Sequence, residues 1–123
     1  MSKQLNDFQL TANFNLKEFQ CKHCGQVKIS PKLVNTLQAL RNLLNKPIKI
    51  TSGFRCATHN KNVGGAKNSY HMQGLATDVV IEGVDYEELV DTCFNLGFTG
   101  IGVYKDQGFM HLDVRPGKPV RFR

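Results

Sequence analysis

Leu33, Val34, Leu37, Leu40, Leu43 and Leu44 recur at three- and four-residue intervals, while Lys32, Asn35, Gln38 and Arg41 take the opposite side. Ser30 followed by Pro31 has the form of an N-cap and first helical position, where proline loses nothing by lacking an N–H. The pattern predicts a helix that starts at Pro31, lays its leucines on a core and stops before Pro47. A second helix, from about 86 to 96, is predicted by Tyr86, Leu89, Val90, Cys93 and Phe94. Asp85 and Glu88 stand at capping-box spacing before it, and Gly97 is its stop. Strands are read from "PIKITSGF", a short strand entering a loop, and from "LATDVVI", a buried one. "GIGVY" and "FMHLDVR", separated by "KDQG", read as a hairpin. Alternation in "FMHLDV" puts Phe109, His111 and Asp113 on one face and Met110, Leu112 and Val114 on the other.

Between the first two strands runs "RCATHNKNVGGAKNSYH", polar and closing on Gly64-Gly65, which predicts a short helix and a glycine turn. So long an excursion on a small scaffold is where a site tends to be built. The order helix, strand, loop, strand, helix, hairpin implies an α+β fold: a small, mainly antiparallel sheet with helices packed on one side. Residues 1–123 are expected to form one domain.

Composition and charge narrow the function classes. No stretch approaches the roughly 18 apolar residues of a membrane helix, and "MSKQLNDFQLTANF" lacks the apolar run of a signal peptide. The expectation is a chain made in the cytoplasm without a signal peptide and not inserted into membrane. The net charge of +6, with four cations and no acid in "RPGKPVRFR", favours a polyanionic partner such as nucleic acid, an anionic lipid surface or a cell-wall polymer. No nucleic-acid-binding motif or basic helix stands out, which argues against specific nucleic-acid recognition.

Four cysteines without a signal peptide suggest thiols or metal ligands before disulfides. Cys21 and Cys24 form C-x-x-C, and Cys56 with His59 forms C-x-x-H, so a tetrahedral Cys3His structural zinc site could be made from them. Burial as small apolar groups, or a disulfide formed later, are the plainer readings. Cys93 falls within a helical apolar pattern and reads as core.

His71, Asp78 and His111 are the residue types of a catalytic zinc centre, which takes three nitrogen or carboxylate ligands and keeps a fourth position open. If the strands bearing Asp78 and His111 are neighbours, both side chains can leave the same face, with His71 folding over from the loop and Gly74 permitting the bend. Alone, each has an ordinary reading as a turn or strand-end residue. The polar face carrying His111 and Asp113 is harder to dismiss.

"SGFRCATHNKNVGGAKNSYHMQGLATDVVI" together with "GIGVYKDQGFMHLDVR" resembles the zinc-dependent peptidase M15 family, in particular its small phage-endolysin-like and D-alanyl-D-alanine carboxypeptidase-like members. The resemblance covers residues 8 to 122. Its specific pieces are Ser69-Tyr70-His71, the spaced Gly74, Ala76 and Asp78, and His111-Leu112-Asp113. It implies one Zn²⁺ held by His71, Asp78 and His111, and substrate contacts from Arg55 and Ser69. Arg55 suits a substrate carboxylate or a developing oxyanion. Many members carry the general-base carboxylate three residues before the last histidine, where this chain has Gly108. Asp113, on the strand face of His111, is the preferred substitute and Asp106 in the hairpin turn the second; Asp113 could instead only orient His111.

The resemblance implies a zinc metallopeptidase that cleaves a bacterial cell-wall peptide. It would be a D-Ala-D-Ala-type carboxypeptidase or an L-Ala-D-Glu-type endopeptidase, acting as a monomer on peptidoglycan, of phage origin and released by a holin. The alternatives are a zinc-containing wall-binding module without turnover, suggested by Gly108, and a nucleic-acid-binding zinc module built on Cys21, Cys24, Cys56 and His59.

Overall fold

The structure, a computed structural model, describes residues 6–123. The leucine-rich segment forms α1 (Pro31–Leu44), capped by the Ser30 side chain on the Lys32 N–H and ended at Asn45 in the left-handed conformation. Four strands follow the predicted runs: β1 (Lys49–Ser52), β2 (Ala76–Val80), β3 (Gly100–Tyr104) and β4 (Phe109–Asp113). Between β1 and β2 lies the short α2 (Ala57–Asn62), and between β2 and β3 lies α3 (Tyr86–Leu96). A two-residue β5 (Val120–Arg121) closes the chain.

The sheet order is β1-β2-β4-β3-β5, antiparallel throughout except that β5 runs parallel to β3. This is the α+β architecture the patterning predicts. One face carries Val79, Ile101, Val103, Met110 and Leu112 against Leu33, Leu37 and Leu40 of α1 and Leu89, Val90 and Cys93 of α3. Burial of that apolar area is the main stabilising term. The glycine turn after α2 borders the other face. Among the described residues no helix is long and apolar enough to cross a membrane.

Three features depart from the patterning. Asp85 caps α3 through the Glu87 N–H at 2.9 Å, without the reciprocal Glu88 side-chain bond expected of a capping box. The full box forms at Asn15 and Glu18, which open a 3-10 turn over Leu16–Phe19. That segment had no periodicity to betray it, yet it sends Phe14 and Phe19 into the core. Lastly, the basic C-terminus is not a free patch. Arg115 pairs with Asp113, Arg121 pairs with Glu87 at 2.6 Å, and the Arg123 guanidinium stacks over Tyr104.

The N-terminal turn reaches the loop after β1 through backbone alone: Phe54 N–H donates to Phe19 O at 2.8 Å. Gly53 lies so near that a Cβ there would meet the Phe19 Cα at 2.6 Å and its carbonyl oxygen at 2.7 Å. Gly53→Ala therefore forces backbone apart and is expected to cost about 1–3 kcal/mol, the range for overpacking. Urea unfolding monitored by circular dichroism measures it, and an unchanged midpoint would refute this close approach.

Candidate active site

β2 and β4 are paired so that Asp78 lies directly opposite His111. Cross-strand partners of an antiparallel pair project from the same face, here the face away from α1 and α3. His71 arrives from a 3-10 turn (Tyr70–Gln73) between α2 and β2, opened by Ser69, whose Oγ accepts the His71 N–H at 3.1 Å. Gly74 ends that turn at φ 73°, a conformation favouring glycine, and a Cβ there would strike the Lys28 carbonyl. The bend expected of Gly74 is thus present.

These three side chains are brought together. His71 is 3% and Asp78 8% exposed. His71 Nε2 lies 3.4 Å and His111 Nδ1 3.2 Å from the same oxygen, Asp78 Oδ1. The remote ring nitrogens are tied off: His71 Nδ1 lies 2.9 Å from Gly53 O, and His111 Nε2 lies 2.8 Å from Asp113 Oδ2. A carbonyl or an ionised carboxylate can only accept, so both remote nitrogens carry hydrogen and the facing nitrogens of the neutral rings hold lone pairs. Two imidazole lone pairs and a carboxylate oxygen, all within 4.8 Å of one another, form a donor set suited to a divalent cation such as zinc. The residues therefore fit the metal.

Electrostatics follow the geometry. Burial raises the Asp78 pKa, but the hydrogen bonds and charge that His111 and His71 supply when their rings are protonated outweigh it and hold the carboxyl well below the usual range. Burial disfavours the His111 imidazolium, yet Asp113 and Asp78 together raise its pKa above the ordinary value. Arg55 Nη2 meets Asp78 Oδ2 at 3.2 Å, while Ser52 Oγ and Asn60 Oδ1 hold Nε and Nη1 at 3.1 and 3.3 Å. Desolvation lowers the Arg55 pKa and the Asp78 charge only partly opposes it.

The cleft above these groups has a volume of about 590 Å³, with Arg55 and Arg115 as its cations and Tyr70, Tyr104, Phe109 and Phe122 as an aromatic wall. Ser69 lines it as well. Neither acid considered as a general base does. Asp113 is 0% exposed and lies behind His111, its oxygens taken by His111 and by Arg115 at 2.6–3.0 Å. Burial pushes its carboxyl up, but hydrogen bonds from His111 and Arg115 prevail and bring its pKa to about 2. Its carboxylate therefore does not open on the cleft. Asp106 is exposed in the turn Lys105–Gln107.

The cysteine expectation is met only in part. Cys21, Cys24 and Cys56 converge, with one ligand atom each within 4.8 Å of the others, whereas His59 lies outside that cluster. His59 meets Cys56 Sγ through its backbone N–H at 3.4 Å. Cys93 is fully buried in α3, and desolvation pushes its thiol up to about 12.

Phe122, Tyr104 and Arg115 were not singled out from the sequence as site residues. A signal was present in "GIG". Gly100 and Gly102 of β3 lie opposite Asp113 and His111, and a Cβ on either would run into the Asp113 carboxylate or the Phe122 ring. The missing side chains make room for Phe122, which meets His111 edge-on at 5.0 Å between ring centroids.

A family model described as Peptidase M15 matches residues 9–113. The peptidoglycan L,D-endopeptidase MepK of Escherichia coli (strain K12) is 33% identical over 97 residues, covering 73% of this chain and 53% of that protein. A probable peptidoglycan L,D-endopeptidase MepK of Haemophilus influenzae is 34% identical over 104 residues, covering 77% and 56% respectively. The zinc D-Ala-D-Ala carboxypeptidase of Streptomyces albus G is 46% identical over 66 residues, covering 53% of this chain and 26% of that protein. The chain thus spans about half the length of the first curated relatives it matches.

Because the obstacle at Gly102 is the tip of a half-exposed Phe122 side chain, Gly102→Ala should displace that ring while shifting stability by less than about 1 kcal/mol. The imidazole chemical shifts of His111 should move as the Phe122 ring current is withdrawn. An unaltered His111 spectrum would contradict the packing described.

Proposed function

Since the chain belongs to the peptidase M15 family, we propose that it is a zinc-dependent peptidase that hydrolyses a peptide bond of bacterial cell-wall peptidoglycan. The observation that carries this reading is the convergence of His71 Nε2, His111 Nδ1 and Asp78 Oδ1 with both remote ring nitrogens already engaged. These three residues would hold the ion. Zinc bound there would supply Lewis acidity, activating water and polarising the scissile carbonyl.

The chain's own groups set the stage for that chemistry. Gly53 O and the Asp113 carboxylate fix the tautomer and tilt of the two imidazoles, so that their basic nitrogens face the ion site. Arg115 in turn immobilises Asp113. Arg55, held by Ser52 and Asn60 at the cleft wall, is placed to take a substrate carboxylate or to steady negative charge as it forms on the carbonyl oxygen. Phe122, Tyr104 and Phe109 offer apolar contact for a peptide and exclude water on that side. Ser69 acts by holding the His71 turn.

Names of the relatives matched over most of the chain favour an internal peptide bond, with the D-Ala-D-Ala end as the second choice. An endolysin-type role on the wall fits the same chemistry. The +6 charge would concentrate the protein near an anionic wall.

Incubation with purified peptidoglycan should release new amino termini, stop with chelator and resume with zinc; mass spectrometry of the muropeptides identifies the bond. His71→Ala and His111→Ala should abolish release and the cleft metal while the apolar core keeps the fold. Bound zinc with no release from any wall type would sink the proposal in favour of a wall-binding module. Asp113→Asn should weaken zinc binding in the cleft by roughly ten- to a hundredfold, with excess zinc restoring turnover, as for a group that orients a ligand. Turnover lost at saturating zinc would instead make Asp113 the base.

A further inference from the structure

A second cluster of ligand-type atoms lies outside the cleft. Cys21, Cys24 and Cys56 place their sulfurs within 4.8 Å of one another, and none is in a disulfide. Zinc–sulfur bonds of about 2.3 Å in a tetrahedron separate sulfurs by roughly 3.8 Å, so little movement is needed to close on an ion. The local chain is shaped for it. Cys21 N–H donates to Gln26 O at 2.7 Å and Gly25 N–H to Cys21 O at 2.8 Å, folding Cys21–Gln26 into a tight turn with Gly25 at φ 77°. Across from it, Cys56 is the N-cap of α2.

Two of the sulfurs already accept backbone N–H groups: Cys56 N–H reaches Cys21 Sγ at 3.5 Å, and His59 N–H reaches Cys56 Sγ at 3.4 Å. Such bonds are the usual outer support of metal-bound sulfur. His59 occupies the third helical position after the Cys56 cap, the position whose side chain can reach back toward the cap residue. Three thiolates and a neutral imidazole around Zn²⁺ leave one net negative charge, and Arg55 and Lys22 are cations near His59.

We propose that Cys21, Cys24 and Cys56 bind a zinc ion, with the His59 imidazole swinging in as fourth ligand, and that this ion clamps the N-terminal segment to the loop after β1. The clamp has a consequence for the cleft. The clamped loop carries Gly53, whose carbonyl meets His71, and Arg55, next to Cys56. Phe54 N–H on Phe19 O and Cys56 N–H on Cys21 Sγ already cross the same seam without metal. The site itself does not depend on the peptidase reading.

The full chain loaded with zinc should contain two ions, and with cobalt should show thiolate-to-cobalt charge-transfer absorption in the near ultraviolet. Cys24→Ser should drop the content to one ion and weaken that absorption, whereas His111→Ala should drop it to one and leave the absorption intact. His59→Ala should weaken the cysteine-bound ion at least tenfold; unchanged affinity would overturn the fourth-ligand assignment. Should Cys24→Ser not fold, the wild type decides alone: exposed Cys24 should resist alkylation by iodoacetamide until chelator is added. Immediate alkylation, or a single ion with no charge-transfer absorption, would overturn the site. Because the absorption is read without substrate, its failure and a failure to cleave peptidoglycan are separate results.

Discussion

The register that sets Asp78 opposite His111 across β2 and β4 is the constraint on which the rest of the molecule depends. Strand side chains alternate, so a slip of one residue in either strand would turn its own site residue into the core and bring Val79 or Met110 out. The slip is prevented from the other face: Val79, Met110 and Leu112 are wholly buried against α1 and α3. The apolar packing that stabilises the fold thereby also aligns the polar site, which needs no stabilising energy of its own to be aligned.

Around that register the protein manages a concentration of buried charge. Isolated, ionised carboxylates at the depth of Asp78 and Asp113 would be strongly unfavourable. Each is met by donors instead: Asp78 by Arg55 and, when the rings are protonated, by the two imidazoles, Asp113 by His111 and a bidentate Arg115. Among the described residues no buried side-chain polar atom lacks a hydrogen-bond partner. Small residues make the arrangement possible, since Gly100 and Gly102 clear the space that Asp113 and Phe122 occupy. A cleft of this kind combines a cation-binding corner, a fixed guanidinium and an aromatic wall, the components required to grip and polarise a peptide.

The elements with strong periodicity could be read from sequence because their signal is local. The α1 leucines, the Ser30-Pro31 start and the alternation of "FMHLDV" each follow from backbone geometry within a few residues. The face shared by His111 and Asp113 was legible in the same way. The segment before residue 20 was not, because Phe19 ends a short turn without repeat, Phe14 precedes it, and both are buried only through packing against distant residues.

Residue type and local pattern were thus enough to say which side chains could bind metal and which strands and helices would carry them. Their partners were set by the folded chain. It aimed the remote nitrogen of His71 at Gly53 O, moved Asp113 behind His111, drew Arg115 and Phe122 from the basic tail to the site, and left the His59 ring outside the three-thiol cluster. All of these are contacts between positions whose geometry is set by sheet register and loop packing, quantities that no local pattern encodes.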